Sequence, residues 1–342
     1  MFLSLDKPNN FARILFVDLK KAFDLINHNV LYKKMVNINL PSHVSVWLLS
    51  FLVNRSQFVS VNNMCSEFTT TNAGAPQGTS CGPLAFNLLI NDLVFNLDYL
   101  KYVDDTTAVS VSDDPLDDSL QSATDDLSNW CDENGMRINV FKTKEMLIYF
   151  GKNYPRGAVP NLVINNSTIE RVSTFKLLGV YFNNDLTWSD HVAYIVTKAS
   201  KRIYCIKQLV HAGIASKDVI IVYCSIIRSI LDYCCQIWHP GLTKQQSKEI
   251  EAVQKRCLKI IYPTVSYATS LKIASLERLS DRRERLVKEL FNEIKANDLL
   301  SSLLEKRKSS KILRKNYNFK IPKISSYRTR RDFITYCLFK NY

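Results

Sequence analysis

Three carboxylates stand where they could hold divalent cations. Asp18 follows an apolar run at residues 12–17, and Asp104 with Asp105 separates two short strand-like stretches. Neighbouring carboxylates repel one another unless water or a bound cation neutralises them, and hard divalent cations prefer oxygen ligands. The three residues therefore predict a metal site, provided that the fold brings them together.

A pair of aspartates can also be a solvated turn, and this alternative has support within the chain. Further Asp-Asp pairs occur at 113–114, 117–118 and 125–126, with no accompanying signal of chemistry. The pair at Asp104 and Asp105 differs in its setting, because it directly follows Tyr102-Val103 and has apolar strand residues on both sides.

The elements that must position these carboxylates form a mixed pattern. Residues 12–17 predict a buried strand that ends at Asp18, and residues 100–111 predict two strands that meet at Asp104-Asp105. Asp114-Pro115 predicts a helix start, and Gly135 predicts the end of that helix. Apolar spacing predicts further helices at 23–35, 44–53 and 84–97, and further strands at 58–61, 136–140, 145–150 and 175–182.

The second half of the chain has a different pattern of apolar and charged residues. From about residue 191, apolar residues recur at intervals of three and four, which predicts helices. The net charge is −6 over residues 1–150, +8 over 151–305 and +11 over 306–342. An acidic α+β first half and a basic, helical second half suggest two functions, since clustered carboxylates can hold cations and a basic surface can bind a polyanion. The alternative is that lysine and arginine merely solvate the helices, which suits residues 151–305 well and the aromatic-rich tail less well.

The composition excludes several classes of protein. With 46% apolar and 11% aromatic residues the chain can bury a core, and nine glycines in 342 residues exclude a collagen-like repeat. The nine cysteines include no Cys-x-x-Cys spacing, so we expect an intracellular protein with free thiols. The longest apolar run, at 219–227, is too short to span a bilayer, so we expect no membrane partner.

Five motifs follow one another in order, and their sequences are specific. They are Phe16-Val17-Asp18-Leu19-Lys20-Lys21-Ala22-Phe23-Asp24; Gly74-Ala75-Pro76-Gln77-Gly78-Thr79-Ser80-Cys81-Gly82-Pro83-Leu84 with Ile90-Asn91-Asp92-Leu93; Tyr102-Val103-Asp104-Asp105; Phe141-Lys142-Thr143-Lys144; and Leu178-Gly179-Val180 with Leu186, Trp188 and His191. This order and spacing resembles the reverse transcriptases of non-LTR retrotransposons of the jockey-like and LINE type, over about residues 11–270.

The resemblance implies a fold and a domain order. It implies a right-hand polymerase palm, an antiparallel sheet packed on helices, with a remnant of the fingers over residues 1–190. An all-α thumb would follow over residues 191–300, and a basic C-terminal tail over 301–342.

The resemblance also implies a reaction. The 3′-hydroxyl of a DNA primer would attack the α-phosphate of a dNTP on an RNA template, with Mg²⁺, or Mn²⁺ in its place, as cofactor. The family acts on chromosomal DNA, so a nuclear location is implied, with the cytoplasm as the alternative. The oligomeric state is left open.

The same resemblance gives roles to the residues around the carboxylates. Asp18 and Asp104 would bridge two metal ions, Asp105 would support them, and the backbone carbonyl of Leu19 would bind the metal that carries the triphosphate. All three aspartates are therefore metal ligands and catalytic residues in this interpretation.

Four further residues would act on the nucleotide. Phe23 would be a steric gate against a ribose 2′-hydroxyl, or else a core residue of a helix. Gln77 would contact the nucleotide, and Gly78 would let the backbone approach it, although a plain turn is the alternative. Lys142 would neutralise or protonate the pyrophosphate, or else be a surface lysine.

Only 17 residues precede Asp18, whereas the family has a substantial fingers region there. We therefore expect an N-terminally truncated fragment with an incomplete triphosphate clamp. Two alternatives to a polymerase remain: a catalytically inactive remnant that only binds nucleic acid, and a structural helical protein.

Overall fold

The computed structural model describes Leu5, Lys7 and residues 10–150, 159–302, 304–306, 319–323 and 329–340. These residues belong to two compact units, Asn9–Ser173 and Thr174–Tyr342, the second of which includes Met1–Pro8. The first unit mixes strands and helices and the second is mainly helical, which confirms the predicted α+β class. The division at residues 190 and 300 stays a prediction.

The first unit contains one five-stranded sheet, three two-stranded ladders and four helices within its described residues. In chain order these are β1 (Phe11–Val17), α1 (His28–Asn37), α2 (Ser42–Leu52), β2 (Arg55–Gln57), β3 (Ser60–Val61), β4 (Met64–Cys65), β5 (Thr69–Thr71), α3 (Cys81–Ile90), β6 (Asp98–Tyr102), β7 (Asp105–Ser112), α4 (Ser119–Asn134), β8 (Lys144–Tyr149), β9 (Val163–Ile164), β10 (Ser167–Thr168) and β11 (Glu170–Arg171).

Strand β1 lies at the centre of the five-stranded sheet, whose order is β11-β8-β1-β7-β6. It pairs antiparallel with β7 on one side and with β8 on the other. All seven of its residues are buried, as its apolar run predicts. Leu15 and Val17 join residues from all four helices in one hydrophobic core, which includes Leu31, Leu48, Phe86 and Leu127.

One charged residue of β1 is buried as well. Arg13 is 2% exposed, and its Nε donates to Oε1 of the fully buried Glu145 at 2.7 Å. Arg171 donates to the other oxygen of Glu145, with Nε at 3.1 Å. Both guanidinium groups also donate to the carbonyl of Pro160. This ion network ties β1, β8, β11 and the segment at Pro160 together.

The β6–β7 hairpin closes with a two-residue turn. Tyr102 pairs with Asp105, so Val103 and Asp104 form the turn. Val103 has a φ of +57°, a left-handed conformation that is unfavourable for a β-branched residue. The strands were predicted to meet at Asp104-Asp105, and the turn lies one residue earlier.

The described residues of the second unit form two strands, paired as a hairpin, and a series of helices. In chain order they are β12 (Thr174–Leu177), β13 (Val180–Asn183), α5 (Ser189–His211), α6 (Ser216–Tyr223), a π-helical segment (Cys224–Arg228), α7 (Ser229–Asp232), α8 (Cys235–Trp238), a 3₁₀ turn (His239–Gly241), α9 (Lys244–Ile261), α10 (Tyr267–Ile273), α11 (Leu279–Ala296), α12 (Asp298–Ser301), a 3₁₀ turn (Thr329–Arg331) and α13 (Phe333–Lys340). The helices predicted after residue 191 are therefore confirmed.

The core of the second unit comes mainly from α5, α6 and α9. Its fully buried members include Ile206, Tyr223, Trp238 and Ile250. A smaller cluster joins α13 to α11 through Phe291 and Cys337. In the predicted basic tail, Tyr317, Tyr327, Arg328 and the Arg307-Lys308 pair lie outside the described residues.

No single described helix is long and apolar enough to cross a bilayer. The bent pair Ser216–Asp232 and Cys235–Gly241 meets the length and composition criterion only when taken together. Its apolar residues Val219, Ile227 and Leu231 are buried in the core of the unit.

Two helix starts differ from the prediction for local reasons. The helix predicted from Phe23 begins only at His28, since residues 20–25 form turns and Asn27 caps the helix by accepting from the amides of Asn29 and Val30. The helix predicted at Asp114-Pro115 begins at Ser119. The Asp114 carboxylate instead accepts from the amide of Leu116, which closes a turn.

Three other predicted elements have different bounds. Residues 175–182 are not one strand, because Leu178 and Gly179 both have positive φ and turn the chain between β12 and β13. The segment 136–140 forms only an isolated bridge at Ile138. Helix α3 ends at Ile90 rather than 97, where the Lys101 ammonium donates to the carbonyls of Ile90, Asn91 and Leu93.

Candidate functional site

The register of the sheet places the predicted carboxylates at one end of β1. Val17 pairs with Thr106, so the next residues outward, Asp18 and Asp105, lie beside each other, and Asp104 lies in the adjoining turn. Partial desolvation raises the pKa of Asp105, and the negative charges of Asp104 and Asp18 raise it further. The three carboxylates thus act on one another electrostatically.

The donor chemistry of this cluster suits Mg²⁺ or Mn²⁺. Carboxylate oxygens are the ligands of hard cations, and Mg²⁺ is commonly bound by one or two carboxylates together with substrate phosphates. Within the described part of the chain, no group of three or more His, Cys, Asp or Glu residues is placed to hold a metal ion by itself. The three aspartates therefore do not form a metal site on their own.

The backbone around Asp18 is anchored from the segment before β8. The Asp18 amide donates to Oγ1 of Thr143 at 3.2 Å, and its carbonyl accepts from the Asn139 amide at 2.8 Å. Thr143 is fully buried. Leu19 forms an isolated bridge with Ile138. The two hydrogen bonds of that bridge use the Asp18 carbonyl and the Lys20 amide, so the Leu19 carbonyl takes no part in them.

Thr143 was not assigned a role from the sequence. Its position beside Lys142 in the fourth motif is the available signal, although the charged neighbour is the more obvious candidate for chemistry. Lys142 is exposed, and its amide donates to the Asn139 carbonyl in a turn. Its predicted role toward pyrophosphate stays a prediction.

Phe23 lies in the turn between β1 and α1. Its ring is half-buried, with its centroid 5.3 Å from that of Phe86 on α3. Packing against Phe86 explains why part of the ring is buried. The predicted gate against a ribose hydroxyl stays a prediction. The alternative of a core position on a helix is wrong in one respect, because residues 20–25 form turns rather than a helix.

The loop that carries Gln77 is fixed to this turn at Gly74. The Gly74 amide donates to the Ile26 carbonyl at 2.8 Å, and the Ala75 amide donates to the Phe23 carbonyl at 2.9 Å. A Cβ on Gly74 would lie 2.8 Å from the Asp24 carbonyl oxygen, so only glycine allows this approach.

Two side chains hold the Gly74 carbonyl from the other side. Nε2 of the buried His28 donates to it at 2.8 Å, and Nη2 of Arg55 donates at 3.2 Å. Arg55 also donates from Nε to the Leu52 carbonyl. Sequence reasoning did not single out Arg55, since its role depends on a contact with a residue 19 positions away.

A cleft of about 480 Å³ opens beside this loop. Its lining includes Asp24, Arg55, Gln57, Gly74 and Gln77. Gly78 is exposed next to it, and a Cβ there would meet no atom within 4 Å. Gly78 is required by its φ of +78° rather than by a close neighbour, so the predicted approach of a nucleotide stays a prediction.

Two other polar residues of the motifs are Asp92 and His191. Asp92 accepts from Nζ of Lys34 at 2.5 Å and from Nε1 of Trp130 at 3.0 Å. His191 is 1% exposed, and burial lowers its pKa to about 4.

Comparison with known proteins gives a consistent result. Residues 4–182 match the family model described as reverse transcriptase (RNA-dependent DNA polymerase). The chain is 25% identical over 299 residues to the RNA-directed DNA polymerase from mobile element jockey of Drosophila melanogaster, covering 82% of this chain and 32% of that protein. It is 26% identical over 265 residues to the probable RNA-directed DNA polymerase from transposon X-element of the same species, covering 73% and 28%.

The chain thus spans about a third of the length of these curated relatives. Among solved structures, it resembles telomerase from Candida tropicalis in complex with a fragment of telomeric RNA. The TM-score is 0.43 at 16% identity, over 86% of this chain and 44% of the telomerase chain.

Proposed function

Because the chain belongs to the reverse transcriptase (RNA-dependent DNA polymerase) family, we propose that it carries the polymerase site of a non-LTR retrotransposon and copies RNA into DNA. The observation that carries this proposal is the register of β1 with β7. It sets Asp18 beside Asp105 and next to Asp104, in a cluster whose charges are mutually repulsive.

The proposed reaction joins a primer 3′-hydroxyl to the α-phosphate of a dNTP, with release of pyrophosphate. When bound, Mg²⁺ or Mn²⁺ would lower the pKa of the attacking hydroxyl and neutralise the charge that develops on the phosphates. Asp18 and Asp104 would hold these ions, with Asp105 as the supporting carboxylate and the Leu19 carbonyl as a further oxygen ligand. Thr143 fixes the Asp18 backbone in place for this role.

Selection of the nucleotide would fall to the turn after β1 and the loop before α3. Phe23 would exclude a ribose 2′-hydroxyl, and Gln77 with Gly78 would contact the nucleotide. The hydrogen bonds at Gly74 and Ala75 support this proposal, since they fix the two segments to each other. Lys142 would neutralise the departing pyrophosphate.

The family relationship gives each part of the chain a proposed place in the enzyme. The sheet with its helices would be the palm, residues 191–300 the thumb, and residues 301–342 a basic tail. The partners would be an RNA template, a DNA primer and dNTPs. We also propose that the protein works in the nucleus, where such elements meet chromosomal DNA.

Primer extension tests the proposal directly. The purified chain would receive an RNA template with an annealed DNA primer, dNTPs and Mg²⁺, and Asp104→Ala would serve as the inactive comparison. Extension by the parent chain and its loss in Asp104→Ala are expected. Salt-sensitive binding of the primer-template by both chains, with extension by neither, would contradict the polymerase activity and leave a remnant that only binds nucleic acid.

A further inference from the structure

A second cavity lies within the helical unit and shares no residue with the carboxylate site. It measures about 320 Å³ and lies between α9 and α10. Its lining comprises Lys255, Arg256, Lys259, Val265, Tyr267 and Ser270. The cavity thus combines three cationic side chains with an aromatic ring and an aliphatic side chain.

The aromatic wall of this cavity is held rigidly from behind. The Tyr267 hydroxyl donates to the Glu251 carboxylate and accepts from Nε2 of Gln254 at 2.8 Å. The other end of the Gln254 amide accepts from the hydroxyl of Tyr223 at 2.6 Å. Gln254 and Tyr223 are both fully buried, so the ring of Tyr267 is fixed before any ligand arrives.

The cations at the rim are not neutralised by acidic side chains. Lys255, Arg256 and Lys259 are exposed, and none of them forms an ion pair with a carboxylate among the described residues. The Lys255 ammonium lies 5.3 Å from the centroid of the Tyr267 ring, and that of Lys259 donates to the Pro263 carbonyl at 2.7 Å.

Two arginines of α11 show the contrast. Arg285 pairs with Glu277 at 2.6 Å and with Glu289 at 2.7 Å, while Arg282 pairs with Asp232 at 2.6 Å. The charges of these two arginines are therefore balanced within the fold. The positive charge beside the cavity is left for an anion from outside.

We propose that this cavity binds one unpaired nucleotide of single-stranded nucleic acid. The base would lie against the fixed ring of Tyr267, since every base offers a flat face to an aromatic side chain. The phosphates on either side would contact Arg256, Lys259 and Lys255 at the rim. RNA and DNA strands share this chemistry, and a double helix, whose bases are paired, does not offer it.

Binding by fluorescence anisotropy tests the proposal. The full chain would be titrated in EDTA and without dNTPs, so that the result does not depend on polymerase activity. The probes are labelled single strands of RNA and of DNA of about ten nucleotides, within the usual site size, and a duplex of the same sequence. The matched control is Lys217→Ala, which removes one exposed lysine of α6 in the same unit.

The expected results are specific to the rim. Arg256→Ala and Lys259→Ala should each weaken single-strand binding and lower the slope of log K against log salt by about 0.7, the value of one phosphate contact. Lys217→Ala should leave both unchanged. The tighter of the RNA and DNA probes identifies the natural strand. Equal loss in Lys217→Ala, or equal binding of the duplex, would overturn the proposal in favour of diffuse attraction.

Photocrosslinking locates the base. A single strand that carries 5-iodouracil should crosslink to a peptide containing Tyr267, with a lower yield in Arg256→Ala than in Lys217→Ala. A crosslink confined to other peptides would contradict the assignment of this cavity even if the strand binds.

Discussion

Two clusters of charged residues along β1 are stabilised in opposite ways. In the middle of the strand, Arg13 and Glu145 are buried, and Arg171 completes an ion network in which both oxygens of the carboxylate are used. Just past its end, five residues further along, Asp18 lies with Asp104 and Asp105, and none of the three forms an ion pair among the described residues. Both clusters depend on the same antiparallel pairing.

The difference separates charge that maintains the fold from charge available for chemistry. A buried carboxylate is tolerated when cations and hydrogen bonds surround it, and it then contributes rigidity. A carboxylate cluster left unbalanced costs stability, and proteins retain such arrangements at functional sites. A bound cation would therefore find the most favourable electrostatic interaction at the cluster around Asp18.

Asp18→Asn should give the largest effect, on activity. It keeps the shape of the side chain but removes its charge. Primer extension should fall about a thousandfold or more, because metal ions supply several kcal/mol and each 1.4 kcal/mol is tenfold in rate. The matched control is Asp113→Asn, at an exposed turn aspartate. An equal loss in both variants would show that the comparison of the two charge clusters is mistaken.

Glu145→Ala should give the largest effect on stability. It leaves the buried Arg13 guanidinium with no carboxylate to pair with, which typically costs about 3–5 kcal/mol. Urea unfolding would measure the loss. Glu170→Ala is the control, since it removes an exposed ion pair with Lys144 and should cost no more than about 1 kcal/mol. Similar losses in both variants would contradict a special role for the buried network.

Thr143→Val should have a smaller effect, because it disturbs the position of Asp18 only through the backbone amide. The variant keeps the shape and removes one hydrogen bond, worth about 1 kcal/mol. We expect a decrease of several-fold in kcat for primer extension, and Thr143→Ser should restore most of it because it retains the hydroxyl. If Thr143→Ser is as impaired as Thr143→Val, packing rather than the hydrogen bond positions Asp18.

Asp105→Asn should give the smallest effect. It should stabilise the fold slightly, whereas Glu145→Ala should destabilise it. The pKa of Asp105 in the fold is raised above its ordinary value of 3.8. The native state therefore binds the proton more tightly than the unfolded chain does, and stability falls as the pH rises through that range.

Removing this carboxylate should slightly raise the melting temperature in EDTA at pH 7, and less at pH 4. Solvent screens the repulsion because Asp105 is exposed, so the rise should be small. A melting temperature that falls, or that changes equally at both pH values, would mean that the carboxylates do not repel one another in the folded chain.

The sequence was informative where a feature depends on neighbouring residues. The apolar run before Asp18 predicted β1, and Gly135 predicted the end of α4, where it adopts a φ of +68°. The start of α4 was misplaced, because Asp114 has the same preference for closing a turn as for capping a helix.

Contacts across the fold could not be predicted in this way. The bond from the Asp18 amide to Thr143 joins residues 125 positions apart, and the ion pair of Arg13 with Glu145 spans 132. The rigid wall at Tyr267 likewise requires Gln254 and Tyr223 to meet behind it. Such features depend on tertiary packing, which no local spacing encodes.

The Gly74 carbonyl has a mechanical consequence. It receives hydrogen bonds from His28 and Arg55, while the Gly74 amide is bound to Ile26. The turn with Phe23 and the loop with Gln77 are therefore joined at one point and should move together as a single body. If a nucleotide binds with its sugar at Phe23 and its base near Gln77, the distance between these two contacts is fixed. A nucleotide of the wrong shape could then not be accommodated by a shift of one segment alone.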